Sequence, residues 1–315
     1  MTRSPSVVTS AVAVAAALTL ASASAQPPQV RRPPDQVYRA GVEMVSLNVT
    51  VTDQKQRYLT DLDAKDFSIV EDGAKQEITY FNRTTLPIAL SLLLDTSASM
   101  EQRMGTAQDA AVGFARKLRP LDLAQVVDFD TRVEILQGFT ADAQALETAI
   151  RGTTAGGSTS MYNALYISLK ELAKVQAKSD DDVRRSAVVL LSDGEDTSSL
   201  VTFEEVLDLA RRSATTIYTI GLQSRETSMS KGFREAEFVL RQLAQETGGR
   251  AFLPQRAEDL AGIYGEIADE LASQYVIGYA STNPKRDGAW RRLTVQVNRQ
   301  GTVARTKRGY FAPAS

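Results

Sequence analysis

The sequence predicts an α/β fold, a doubly wound and mostly parallel sheet with short β segments flanking it. Three observations carry this. Two runs, Ile88–Leu94 (IALSLLL) and Ala187–Leu191 (AVVLL), are almost wholly apolar, as strands covered on both faces must be. Apolar residues recur at spacings of three and four in the segments that follow each of them, the signature of one buried helical stripe. Strand-like and helix-like segments then alternate from 85 to 272, which implies parallel strands joined by crossover helices.

Composition bounds the function. The 315 residues are 43% hydrophobic and 23% charged, a globular balance with enough chain for one large core and a satellite. Lys and Arg number 36 against 38 Asp and Glu, so no basic excess calls for nucleic acid as partner. There is no Cys and no His. That removes disulfides, thiol nucleophiles, Cys/His zinc sites and imidazole bases. Remaining chemistry rests on carboxylates, hydroxyls, Lys, Arg, Tyr or an oxygen-bound metal.

Taken in order, residues 1–25 predict a signal peptide. Arg3 opens it, the apolar run Ala11–Leu20 follows, and Ala23-Ser24-Ala25 is a small-x-small cleavage site. The run is short of the ~20 residues a spanning helix needs. No Cys stands at the cleavage site to take a lipid, and no later segment is apolar enough to cross a membrane. The expected product is exported, periplasmic or secreted. Residues 26–38 form a Pro-rich leader. In 39–84, Val45, Leu47, Val49 and Val51 alternate with polar residues, and Phe67–Val70 and Ile78–Phe81 flank the turn Glu71-Asp72-Gly73. This is an N-terminal β segment.

The α/β region begins with the strand Ile88–Leu94. Met104, Ala107, Ala111, Phe114 and Leu118 stripe the next helix, which Pro120 stops. Gln125–Phe129 and Val133–Phe139 are strands, 141–151 a helix, and 153–160 (TTAGGSTS) a Gly-rich loop. Met161, Leu165, Leu169, Leu172 and Val175 stripe another helix before the strand Ala187–Leu191. A helix over 203–213, a strand over Thr216–Leu222, a helix over 234–246 closed by Gly248-Gly249, a short strand at Ala251–Leu253 and a last helix striped by Leu260, Ile263, Tyr264, Ile267 and Leu271 complete it. From 273 to 315 the pattern returns to strands: Tyr275–Tyr279, Leu293–Val297 and Val303–Phe311. The shared pattern of the two terminal β segments predicts that they pair into a small accessory sheet.

The first apolar strand runs into Asp95-Thr96-Ser97-Ala98-Ser99, a D-x-S-x-S run, and the second ends in Ser192-Asp193-Gly194. Thr159 lies in the Gly-rich loop just before a helix. In a doubly wound sheet functional groups gather outside the carboxyl ends of the strands, where these three pieces belong. Asp95, Ser97, Ser99, Thr159 and Asp193 offer only oxygen: two carboxylates and three hydroxyls. That set suits a hard cation, Mg²⁺ first and Mn²⁺ or Ca²⁺ as alternatives. Three of the five donors are neutral, so the metal stays under-neutralised and attracts an external carboxylate. The expected partner is a protein offering an Asp or Glu.

Residues 86–270 resemble the von Willebrand factor A domain, a Rossmann-like fold, and the five residues resemble its metal-ion-dependent adhesion site. GGSTSMYNAL and LLSDGED are also similar to family stretches, while the extra Ser158 and Asn163, where Asp is common, depart from the pattern. The resemblance implies Ser97 and Ser99 as direct ligands, Thr159 as direct or water-bridged, and the two Asp mostly through water. It also implies a protein-binding module whose last helix shifts between states. DLDAKDFSIVEDGAKQEITYF, QYVIGYAST and RTKRGYFAP resemble segments of exported bacterial proteins related to that family. Thr96, Ala98, Met100 and the loops 155–158 and 194–198 are expected to frame the contact surface.

Other readings carry less. D-x-S-x-S alone would suit a helix cap. An aspartic-protease site needs a second matching Asp loop, which Ser192-Asp193-Gly194 does not supply. A phosphotransfer site at Asp95 lacks a neighbouring carboxylate and Lys. A metal-stabilised structural envelope protein is the main alternative, and a carboxylate- or metal-dependent hydrolase the lesser one. Asp61, Asp63 and Asp66 lack the Gly and Glu of an EF-hand loop, and Asp180-Asp181-Asp182 suits a solvated loop. The basic residues between Lys285 and Arg308 suit the outward faces of alternating strands.

Overall fold

The computed structural model describes residues 44–83, 86–176, 184–193, 195–222 and 231–314. The expected signal peptide, the Pro-rich leader and the 180–182 acidic run lie outside them.

The strand β5 (Ile88–Asp95) is buried along its whole length. Its alternation serves two cores at once. Ile88, Leu90, Leu92 and Leu94 face one helical layer, and Ala89 and Leu93 face the other. β8 (Arg185–Ser192) lies parallel beside it and divides the same way, with Ala187, Val189 and Leu191 against Val188 and Leu190. With β6 (Leu123–Phe129), β7 (Val133–Thr140), β9 (Thr215–Gly221) and β10 (Ala251–Phe252) they form a six-stranded sheet in the order β10-β9-β8-β5-β6-β7. Every pairing is parallel except β6 with β7.

The helices α1 (Met104–Ala115), α2 (Ala143–Arg151) and α6 (Leu260–Ser273) cover one face. The other is covered by α3 (Met161–Gln176), α4 (Phe203–Arg212) and α5 (Lys231–Thr247). Capping matches sequence: Asp142 accepts from Gln144 N and Ala145 N to start α2, and Thr202 with Glu205 makes a capping box for α4. The chain leaves β5 toward the first face and β8 toward the second. The crevice between the carboxyl ends of these two strands is therefore the switch point of the sheet.

The terminal β segments do pair with each other, in two sheets rather than one. β1 (Met44–Asp53) and β4 (Ile78–Asn82) flank β11 (Tyr275–Ala280), with β13 (Thr302–Arg305) on the outer side of β1. β2 (Phe67–Glu71) joins β12 (Trp290–Val297), with β3 (Ala74–Gln76) and β14 (Gly309–Phe311) at the edges. Leu47, Val49, Phe67, Ile69, Tyr275, Ile277 and Leu293 close a third core between them. The expected single strand Val303–Phe311 divides into β13 and β14. At the break Arg305 Nε donates to Gly248 O at 3.2 Å and Arg308 N to Glu246 O at 3.4 Å, so the backbone follows the end of α5 from one sheet to the other.

Candidate metal centre

β5 delivers Asp95 to the switch point fully buried. Both carboxylate oxygens are engaged: Ser97 N donates to Oδ1 at 2.9 Å and Ser192 Oγ to Oδ2 at 2.5 Å. Burial pushes the Asp95 carboxyl up to about 6; the hydrogen bonds from Ser192 and Ser97 oppose that rise and the charge of Asp193 adds to it.

A short 3-10 turn, Ala98–Met100, follows and carries Ser99 to the solvent side. Ser97 Oγ and Ser99 Oγ stand 3.1 Å apart, and Ser99 Oγ donates to Asp193 Oδ1 at 2.7 Å. Asp193 follows directly on β8, and its Oδ2 accepts from Arg103 Nη1 at 2.5 Å. Four of the five expected residues are thus joined in one chain of contacts.

Thr159 reaches the same loop cluster through the backbone. Gly156 N donates to Thr96 O at 2.7 Å and Ala98 N to Gly157 O at 3.2 Å, which latches the Gly-rich loop to the turn after β5. Thr159 N donates to Thr197 Oγ1 at 3.0 Å, and Thr159 O accepts from Thr197 N and Ser198 N. Among the described residues no hydrogen bond joins its hydroxyl to the other four.

The donor set fits a hard divalent cation. Neighbouring ligands of an octahedral ion at ~2.1 Å stand about 3.0 Å apart, and the hydrogen-bonded Ser97 and Ser99 hydroxyl oxygens, 3.1 Å apart, match that spacing. Both serine hydroxyls keep lone pairs while donating, and the two carboxylates sit behind them as acceptors.

The frame of the site differs from expectation at two positions. Thr96 is buried, and Met100 is wholly buried in the core beneath α1, so neither fronts the solvent. Ala98 and Ser99 are exposed. Asn163 also has a defined task. Its Oδ1 accepts from Leu200 N at 3.1 Å and Val201 N at 3.3 Å, while Asp196 accepts from Tyr162 N and Ser199. The loop after β8 is thereby fastened to the start of α3. Arg103 was not legible as a site residue, since a lone Arg four positions past Ser99 has no periodic or motif signal.

Residues 90–195 match the family model of the von Willebrand factor type A domain, a stretch that holds all five candidate residues. That match covers about a third of the chain, and over it the protein is similar to the von Willebrand factor type A domain. Inter-alpha-trypsin inhibitor heavy chain H1 from Sus scrofa is 25% identical over 223 residues, which are 65% of this chain and 23% of that protein. A UPF0353 protein from Mycolicibacterium gilvum (strain PYR-GCK) is 24% identical over 218 residues, 63% of this chain and 64% of its own length. The chain thus spans about a quarter of the first of these curated relatives and less than two thirds of the second. The solved structure of a von Willebrand factor type A protein from Catenulispora acidiphila superposes with a TM-score of 0.52 at 13% identity, covering 88% of this chain and 76% of that one. That likeness extends the shared fold beyond the matched A-domain residues into the terminal β segments.

Proposed function

We propose that the region similar to the von Willebrand factor type A domain is a divalent-cation-dependent protein-binding module. Asp95, Ser97, Ser99, Thr159 and Asp193 hold Mg²⁺, with Mn²⁺ or Ca²⁺ as substitutes, and an Asp or Glu of the partner completes the coordination. The observation that carries this is the contact chain Ser97–Ser99–Asp193 at 3.1 and 2.7 Å, set at the switch point above a buried Asp95. A bound cation supplies positive charge at an exposed edge of the fold. The chain's own residues do the rest: Ser97 and Ser99 present oxygen, Asp95 fixes the turn through Ser97 N, and Ser192 fixes Asp95.

The surroundings suit binding better than turnover. The chain has no imidazole or thiol, and among the described residues the Ser99 hydroxyl donates to Asp193, whose other oxygen Arg103 already engages. Among the described residues no helix is long and apolar enough to cross a membrane. The charged start, the apolar run and Ala23-Ser24-Ala25 within residues 1–25 support export to the periplasm or beyond.

Isothermal titration of the purified chain with MgCl₂ tests the reading. The wild type is expected to bind one ion, and the Ser97→Ala/Ser99→Ala double variant to lose binding while its far-UV circular dichroism is unchanged. Equal binding by both proteins would remove the site from these residues.

A further inference from the structure

The site buries more negative charge than its own donors offset. Asp95 is inaccessible and Asp193 is only 8% exposed. Carboxylates taken out of water are costly unless paired and hydrogen-bonded. Among the described residues the donors to Asp95 are neutral, Ser97 N and Ser192 Oγ. Asp193 is different: Arg103 meets its Oδ2 at 2.5 Å, in an ion pair whose carboxylate side chain is 2% exposed and whose guanidinium is 25% exposed. Arg103 stands at the N-cap of α1, just beyond the Ala98–Met100 turn, and its N–H donates to Met100 O at 2.8 Å. Its charge is therefore held next to the hydroxyls that a divalent ion would use.

A guanidinium and a divalent ion placed this way repel each other and draw on the same carboxylate. Asp193 has one oxygen taken by Ser99 Oγ and the other by Arg103. With Arg103 engaged, the charge of the two acids and the Arg sums to −1, and with it removed, to −2. The second state is the better cation site.

We propose that Arg103 is a resident counter-cation that competes with divalent metal for Asp193 and sets the metal affinity of the site. It holds the metal-free turn in its binding shape and makes loading depend on a high divalent concentration. The proposal rests on the metal-binding reading above, and the test separates the two.

Wild type, Arg103→Met and Arg103→Lys are titrated with MgCl₂ and with MnCl₂ at constant ionic strength, and melted in chelator. Met keeps the unbranched stem of the side chain without the guanidinium or its charge, and Lys keeps the charge. Arg103→Met is expected to bind both ions tighter by about tenfold or more, and to melt lower than wild type in chelator. Arg103→Lys is expected to bind within about threefold of wild type, because the competing charge remains. Metal binding by the wild type with an Arg103→Met affinity equal to it or weaker overturns the proposal and leaves the site reading standing. Binding by no protein in the series overturns both. A wild type too weak to titrate beside an Arg103→Met protein that binds supports the competition.

Discussion

Gly157 is where the shape of the site depends on a missing side chain. Its φ is +73°, in the left-handed region, and a Cβ there would lie 2.6 Å from Thr131 Oγ1 and 2.9 Å from Asp130 Oδ2. Its carbonyl accepts the Ala98 N–H that ties the Gly-rich loop to the Ser97–Ser99 turn. Gly157→Ala is expected to cost about 1–3 kcal/mol of stability in urea denaturation and to weaken Mg²⁺ binding by titration. Unchanged affinity would show that the latch does not position the donors. At this scale the sequence exposes five candidate residues, because hydroxyl and carboxylate types at strand ends announce oxygen chemistry, and the structure joins four of them, Asp95, Ser97, Ser99 and Asp193, in one chain of contacts. It does not expose Met100 as core or Arg103 as a site neighbour. Both lie on an irregular turn, where no period links position to direction, and only the three-dimensional path of Ala98–Met100 decides which side chains point inward.

Glu71 shows what an element end can hold. It closes β2 with a side chain 1% exposed and paired with Arg291 of β12 at 3.2 Å. Tyr279 of β11 donates at 2.7 Å, Ser281 at 2.6 Å and Tyr310 of β14 at 2.9 Å. One carboxylate thus fastens the two terminal sheets to each other. Burial alone would raise its pKa, but the hydrogen bonds from Ser281, Tyr279 and Tyr310 and the charge of Arg291 outweigh it and hold the group below its ordinary value. A depressed carboxylate stabilises the fold above the unfolded pKa, near 4.3 for Glu, and that contribution is lost as pH falls through the folded value. Glu71→Gln is therefore expected to cost about 3–5 kcal/mol at pH 7, with the gap to wild type closing in urea melts carried down to pH 3. A gap that stays constant with pH would mean that the charge of Glu71 is not what ties the sheets. The strands themselves were legible from alternation. Their division into two sheets was not, because no residue between Val303 and Phe311 marks where the backbone leaves one sheet for the other beside Gly248.

Across the whole molecule, the six-stranded sheet and the terminal sheets meet at Glu270 of α6, 1% exposed. Thr50 of β1 donates to it at 3.2 Å, Tyr218 of β9 at 2.8 Å, and Arg305 of β13 forms an ion pair with the same oxygen. One turn on, Gln274 donates to Tyr218 at 3.1 Å and accepts from Arg185 of β8 at 2.7 Å, and β11 begins at the next residue. Nothing in the sequence marks this seam, since Thr50 and Glu270 are 220 positions apart and each is an ordinary polar residue of its own element. Glu270 is buried while Arg305 is partly exposed, and removing one partner of a pair with a buried charge is destabilising, so the two halves should unfold together while Glu270 is present. The single tryptophan makes this measurable. Trp290 packs edge-on against Phe311 in the terminal sheets, 5.0 Å between ring centroids, and reports on them, whereas far-UV circular dichroism reports on the helices of the α/β part. In wild type the urea transitions followed by tryptophan fluorescence and by circular dichroism are expected to coincide, the mark of one cooperative unit. In Glu270→Ala, which strands Arg305 at the seam, the fluorescence transition is expected to move to lower urea and separate from the helical one. If the two curves stay superimposed in the variant, the coupling runs through the apolar contacts and through Arg211, whose guanidinium lies 5.2 Å from the Trp290 ring, rather than through the Glu270 cluster.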